Sequence, residues 1–392
     1  MPLAPHPAVV LQASGPNALG IVRGLARADV PVIACDHDPR ALGMVSRHTT
    51  PWPTRDPLAD PDGFVDDLCA LGARLARPGV LFPTHDEALE AIGPREGRLE
   101  GLFLRPWSPW AVMSRVLDKS HQHVAARAIG FPVPRTLTPD EATDPAVVEA
   151  ELRFPVVLKP SRSAEFKRAL RVQVLEAADP EQLRRVWDRA APYRPAVSEV
   201  IPGGDELIWS LGSYRDAAGS PLASFTGRKL RQWPPRFGTG RSAESRWDAG
   251  LARRGHELLD ALAFHGISQL ETKRDPRDGR HHLIEVNARS WLWVGLATAA
   301  GVNLPLAAYL DAVGRPRTWE AGHRDGLRWM LSTRHLPAGL REVRRREWGA
   351  GAFARSLRPP IRDGVIDLRD PRPMAELVRR HALRLARRRH YW

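Results

Sequence analysis

The sequence predicts an α/β protein in three parts: an N-terminal domain on a parallel sheet, an α+β core in two subdomains, and a basic C-terminal extension. Three observations carry this. The N-terminal residues alternate strand-like and helix-like runs, the pattern of a βαβ unit. Two short strands, Gln269–Lys273 and Leu283–Arg289, flank Asp-Pro and Asp-Gly turn signals and read as an antiparallel hairpin. At 392 residues and 43% hydrophobic, the chain can bury two or three cores.

The elements follow in order. Ala8 to Ala13 reads as a strand, Gly15 to Gly20 (GPNALG) as a tight loop, the run to Ala28 as a helix and Val30 to Asp36 as a second strand. Val80 to Glu87 adds a strand that ends in polar residues, as in sheets that hold ligands at strand ends. Residues 1–115 are therefore expected to form a Rossmann-like domain. The GPNALG loop is close to the dinucleotide fingerprint, with Asp36 near the place of a ribose-binding acid. Read alone it suggests an NAD-type oxidoreductase. Asn17, however, stands where the fingerprint needs a glycine to let pyrophosphate approach the backbone. Gly15, Asn17, Gly20, Asp36 and the Thr84-His85-Asp86 loop are candidate substrate-side groups instead.

Further along, Phe154 to Leu158 is an apolar run that reads as a buried strand, and it ends in Lys159. A lysine there needs an anion. The chain has five lysines against 53 arginines, so Lys119, Lys159, Lys167, Lys229 and Lys273 are candidates for positions that require a compact ammonium. In the hairpin, strand alternation sends Glu285, Asn287 and Arg289 to one face while Val286 and Ala288 turn into a core. Folding the hairpin back brings Glu271 near Glu285. Two carboxylates and a carboxamide oxygen make a hard donor set suited to Mg²⁺ or Mn²⁺, and Arg289 is placed to grip a phosphoryl oxygen.

From about residue 8 to about 310 these motifs resemble, in order, those of the ATP-grasp superfamily and within it the ATP-dependent carboxylate-amine ligases. The resemblance implies a small lid subdomain over residues 116–195, opened by Asp118-Lys119, and a larger catalytic subdomain over 196–312. It implies that Lys119 and Lys159 contact nucleotide phosphate. Glu199, Val200 and Ile201 would form the hinge strand facing adenine, and Glu206 would bind ribose. Lys229 and Arg231 would be further phosphate contacts, Glu271, Glu285 and Asn287 the metal ligands, and Arg289 the arginine at the transfer site. ATP and Mg²⁺ (or Mn²⁺) are the implied cofactors, and the implied reaction joins a carboxylate to an amine through an acyl phosphate. One departure stands out: Ser161 to Lys167, where the family carries a glycine-rich loop, has no glycine, leaving Ser161, Arg162 and Ser163 to supply donors. A catalytically dead ATP-binding scaffold is the alternative that this loop leaves open.

Composition bounds the rest. Cys35 and Cys69 share no disulfide or metal spacing and read as small apolar residues. No secretory leader and no run of eighteen apolar residues is evident, so the cytoplasm is the expected compartment. The net charge is +13, and Pro371 to Trp392 hold seven arginines against one glutamate. In this 313–392 extension, Met374, Leu377, Val378 and Leu385 could stripe one helix face and leave the arginines for water, an anionic surface or an acidic carrier. Nucleic acid is not an expected partner, because few aromatics interleave with the basic residues. The expected partners are a small-molecule acid and amine, with the oligomeric state left open. The paired histidines 121/123 and 281/282 read as solvent or packing residues.

Overall fold

The computed structural model describes residues 5–160, 170, 172, 174–319 and 322–389. Ser161 to Lys167, the glycine-free stretch, lies outside them.

Strands β1 (Ala8–Leu11), β2 (Val32–Asp36), β3 (Thr49–Pro53), β4 (Gly79–Pro83) and β5 (Phe103–Leu104) form a parallel sheet in the order β3-β2-β1-β4-β5. Helices α1 (Pro16–Ala26), α2 (Pro61–Gly72) and α3 (Asp86–Ile92) connect them. The apolar β1 run is wholly buried, as a strand covered on both faces must be. Pro16 opens α1 where its missing N–H is no loss.

After α4 (Trp110–Val116), helix α5 (Lys119–Ala128) starts at Asp118, whose side chain accepts from the Ser120 amide at 2.8 Å. A second, antiparallel sheet follows, built from β6 (Thr136–Leu137), β7 (Val156–Pro160), β8 (Leu175–Ala177) and β9 (Pro195–Glu199) in the order β6-β9-β7-β8. Helices α6 (Pro145–Glu151) and α7 (Pro180–Ala190) share its core.

The third sheet has seven strands: β10 (Ile208–Arg215), β11 (Pro221–Trp233), β12 (Thr239–Ser245), β13 (Gly266–Arg274), β14 (His281–Asn287), β15 (Arg328–Met330) and β16 (Ile361–Asp363). Their order is β14-β13-β10-β11-β12-β15-β16. Helices α8 (Ala249–Ala261), α9 (Val294–Ala300), α10 (Leu304–Ala312), α11 (Ser332–Arg344) and α12 (Ala350–Ser356) pack on it or follow it. The sheets run across two of the boundaries expected from sequence. Strand β9 spans residue 195/196, and β15 and β16 bring the region beyond 312 into the large sheet by pairing on β12.

The expected hairpin forms as β13 and β14, with Leu270 opposite Val286 and Glu271 opposite Glu285. Its turn closes through the Asp275 amide to the Arg280 carbonyl at 2.9 Å, with Gly279 at φ +72°. Strand β14 is an edge, and an edge leaves backbone groups without partners. Gln122 of α5 fills that need: its Oε1 accepts from Val286 N at 2.7 Å, and its Nε2 donates to Val286 O at 2.8 Å and Val116 O at 2.6 Å. A buried carboxamide thus acts as an eighth rung and docks α5 on the hairpin.

The tail helix α13 (Arg372–Arg389) folds back onto the N-terminal domain rather than projecting from the chain. Asp370, wholly buried, accepts from Arg23 Nε at 3.1 Å, Ser46 Oγ at 2.9 Å and Arg47 N at 3.0 Å. Leu377 packs on the core shared by α1 and α9, but Val378 is 63% exposed, which breaks the expected apolar stripe. The side chain of Leu385 lies outside the described residues. Arg379 and Arg380 meet Glu376, and Arg380 also reaches Asp38 at 2.7 Å, so these two arginines are tied within the chain. Among the described residues no helix is long and apolar enough to cross a membrane. Cys35 is buried, Cys69 is half-buried, and neither is bonded to the other.

Truncating Gln122 to alanine orphans both backbone groups of Val286 inside the protein. Gln122→Ala is expected to lower stability by about 2–4 kcal/mol, measured as the shift in a denaturant unfolding curve. A loss under about 0.5 kcal/mol, the range of neutral surface changes, would remove this docking role.

Candidate active site

The hairpin sets two carboxylates face to face. Like charges directly opposite on neighbouring strands repel, and these are largely shielded from water. Each is met by a lysine from another element. Lys119, in the first turn of α5, places Nζ 2.7 Å from Glu285 Oε2. Lys229, from β11, places Nζ 2.9 Å and 2.8 Å from the two oxygens of Glu271. The Lys119 ammonium holds the Glu285 carboxyl far below the usual range despite its burial, with Asn287 helping, and Glu285 in turn raises Lys119.

Carboxamides complete the layer. Asn287 Nδ2 donates to Glu285 Oε1 at 3.1 Å and to Gln269 Oε1 at 3.3 Å, while Gln269 Nε2 donates to Ser210 Oγ at 2.8 Å. Asn287 Oδ1, facing Arg289 Nη2 at 3.2 Å, is the atom that a hard cation would use. Glu271, Glu285 and Asn287 therefore offer oxygen donors only, which fits Mg²⁺ and not a thiolate-preferring metal. Arg289 is held in a fork by Asp86, from the start of α3, at 2.7 Å and 3.1 Å.

Lys159, at the end of β7, is half-buried, while Val156 and Leu158 of the same strand point into the small-sheet core. It lies within electrostatic reach of Lys119, Glu285 and Glu271, so the small sheet and the large sheet contribute to one site. Burial, aided by Lys119, pushes it down to about 8. Its neighbour His123 is pushed down to about 4, by burial and then by Lys159. From sequence His123 is expected in a packing or solvent role, and Gln122, Gln269 and Gln232 carry no functional signal. Nothing in residue type or spacing marks these glutamines, because their docking partners, Val286 for Gln122, Ser210 for Gln269 and Asp205 for Gln232, come from other segments of the chain.

In the segment expected from sequence to form the hinge, Val200 N donates to Pro155 O at 2.9 Å. Glu199 Oε1 accepts from Arg153 N at 3.0 Å, and Ile201 is buried. Glu206 is exposed in the turn before β10. Its neighbour Asp205 is fastened to Gln232 at 2.8 Å and 2.9 Å, and Lys273 Nζ binds Gly203 O at 2.7 Å.

Arg231 is a correction. Strict alternation would point it the same way as Lys229, but β11 pairs with β12 irregularly, with Lys229 opposite Ala243 and Arg231 opposite Ser242. The bulge at Leu230 reverses the side-chain phase. Gln232, not Arg231, shares the face of Lys229, at 3.4 Å from its Nζ, and Arg231 stacks instead over Trp348 with 4.5 Å to the ring centre.

The GPNALG loop is a second correction. Asn17 is 5% exposed, and its carboxamide donates to Thr84 O at 2.9 Å and Ser290 O at 3.1 Å and accepts from Ser290 Oγ at 2.7 Å. A side chain at Gly20 would lie 2.8 Å from Val294 Cγ1 and 3.0 Å from Gly295 N. The loop thus clamps the N-terminal domain to the segment after Arg289, and close helix packing explains its last glycine. Asp36 is 2% exposed and accepts from Asp38 N at 2.9 Å. Gly15 precedes α1, its carbonyl accepting from Leu19 N at 3.3 Å; of the substrate-side candidates Asp86 binds Arg289 directly, and His85 lies within electrostatic reach of it.

The parallel sheet, the small antiparallel sheet with its strand lysine, and the large sheet with its acidic hairpin define an ATP-grasp fold. Solved structures agree with this. The N5-carboxyaminoimidazole ribonucleotide synthetase purK, solved as an ADP complex, matches with a TM-score of 0.66 at 13% identity, over 87% of this chain and 86% of that one. An L-amino acid ligase from Bacillus licheniformis matches with a TM-score of 0.58 at 16% identity, over 80% and 76%. By sequence the chain is similar to the D-aspartate ligase of Enterococcus faecium (strain Aus0004), 25% identical over 238 residues. That alignment covers 57% of this chain and 56% of the relative, so the chain spans little more than half of its length. No protein-family model matches the chain.

The depressed Lys159 has two consequences of opposite sign. Between about 8 and the unfolded value of about 10.4, the unfolded chain binds the extra proton, so this group's contribution to stability rises with pH across that window. An anion needs the charged ammonium, so affinity for metal-free ADP is expected to fall as pH rises from 7 to 9. Calorimetric titration at several pH values checks this, and a Lys159→Met variant should lack that part of the slope.

Proposed function

We propose that the chain is an ATP- and Mg²⁺-dependent ligase that joins a carboxylate to an amine through an acyl phosphate. The observation that carries this reading is the convergence of Lys119, Lys159, Lys229 and Arg289 on Glu271, Glu285 and Asn287. Four cations gathered around three oxygen donors suit a polyphosphate with a divalent ion. Bound Mg²⁺, held by Glu271, Glu285 and Asn287, would supply charge neutralisation on phosphate oxygens.

The chain's own residues account for the remainder. Lys119, Lys159 and Lys229 orient the triphosphate and offset its charge, Lys119 and Lys229 by exchanging a carboxylate for phosphate oxygens. A substrate carboxylate attacks the γ-phosphorus, the bond to the bridging oxygen breaks, and ADP leaves. Arg289, aimed by Asp86, stabilises the transferring group and then the oxyanion formed when the amine attacks the acyl phosphate. Phosphate departs and an amide remains. Positioning and electrostatics do most of this, so no nucleophilic side chain is required. The D-aspartate and L-amino acid ligase likenesses favour amino acids as the acid or the amine. The oxidoreductase alternative loses its basis, because Asn17 and Gly20 serve as a packing clamp.

The test is phosphate release from Mg-ATP across paired amino acids. At least one pair should raise release well above the ATP-only rate, with the amide found by mass spectrometry. Glu285→Gln is expected to lower that rate on the order of 10² or more. Near-normal turnover in this variant would count against the metal assignment, and ATP binding without turnover on any pair would favour a scaffold.

A further inference from the structure

The strand irregularity that removes Arg231 from the lysine face delivers it to another cavity. Arg231, Arg328 and Arg355 line a space of about 260 Å³ together with His335 and Trp348. An adjoining space of about 280 Å³ is lined again by Arg328 and Arg355, with Arg358. Among the described residues, none of these four guanidiniums meets a carboxylate. Arg328 Nη1 donates to the Arg355 carbonyl at 2.9 Å, and Arg231 lies over the Trp348 ring. This sets them apart from arginines such as Arg55, Arg95 and Arg23, which rest on aspartates.

A second observation points the same way. His335 is fully buried and lines the cavity. Its Nε2 lies 3.0 Å from Ser356 Oγ, and that hydroxyl donates to Phe353 O at 2.6 Å, so Nε2 is the donor of the pair. Nδ1 is then an acceptor without a partner among the described residues and cannot itself hold an anion, whereas Nε and Nη1 of the neighbouring buried Arg241, whose Nη2 meets Glu342, are donors without one. Buried donors without partners are rare, and two of them on one arginine beside unpaired guanidiniums favour an anion. Like charges around a shared space repel unless an anion joins them. Arginine forks match the planar spacing of phosphate and carboxylate oxygens, and Trp348 offers a flat wall.

We infer that this face binds a small polyanion carrying phosphate or carboxylate groups, at a site separated from the lysine site by the large sheet. It is a second ligand site of the chain, independent of the reaction proposed above.

The test is calorimetric titration of the full chain with inorganic pyrophosphate and, separately, citrate. Wild type should bind at least one of them, and which one is tighter distinguishes a phosphate from a carboxylate ligand. Arg355 is exposed, so Arg355→Gln should keep its fold by circular dichroism, and its affinity should drop about tenfold, the loss of one charged hydrogen-bonding partner. Arg231→Gln should do the same. Lys159→Met should bind as wild type does, because that lysine serves the other site. The inference is overturned if wild type binds neither anion, if both arginine variants bind unchanged, or if Lys159→Met abolishes binding.

Discussion

Two carboxylates that must face each other organise the centre of this molecule. The β13–β14 register leaves Glu271 and Glu285 no way to separate, and their partial burial weakens the help of water. Their charge is answered from outside the hairpin, by Lys229 across the sheet and by Lys119 at the start of a helix. That answer works only if α5 sits at a set height along β14. Gln122 sets it, by closing the open edge at Val286 one residue from Glu285. The same two ion pairs hold lysine ammoniums beside the carboxylates at the site proposed for phosphate.

The N-terminal domain is joined to this centre through short polar contacts. Asn17 bridges Thr84 and Ser290, Gly20 lets α1 approach α9, and Asp86 takes the fork of Arg289. These contacts lie on either side of the residue proposed to act at the transfer site. An arginine so held has little freedom to choose another rotamer, which is what a charge stabiliser needs. The C-terminal helix extends the same dependence: Asp370 binds Arg23 of α1, and Arg380 binds Asp38 after β2, so the tail braces the domain that braces Arg289.

Strand β11 distributes the remaining cations. Lys229 and Arg231 are two residues apart, and an uninterrupted strand would present both to one ligand. The inserted residue at Leu230 sends them to opposite faces, one toward Glu271 and one toward Trp348. One sheet can therefore hold two anion-attracting surfaces without placing all of their charge in one cavity.

Much of the fold and of the site was legible from residues alone, because local periodicity and turn chemistry act over a few residues. The Asp-Pro and Asp-Gly turn implied the hairpin, alternation put Glu285 and Asn287 on one face, and an apolar run ending in lysine implied the strand that carries Lys159. Contacts between distant segments were not legible. Nothing near Gln122 announces the backbone of Val286, 164 residues away, and nothing near Asn17 announces Ser290. A bulge depends on how two strands pair, so the face of Arg231 was settled only when β12 lay beside β11. The tail arginines were also read by their own composition, whereas Arg380 reaches Asp38, a partner that only the folded chain brings near.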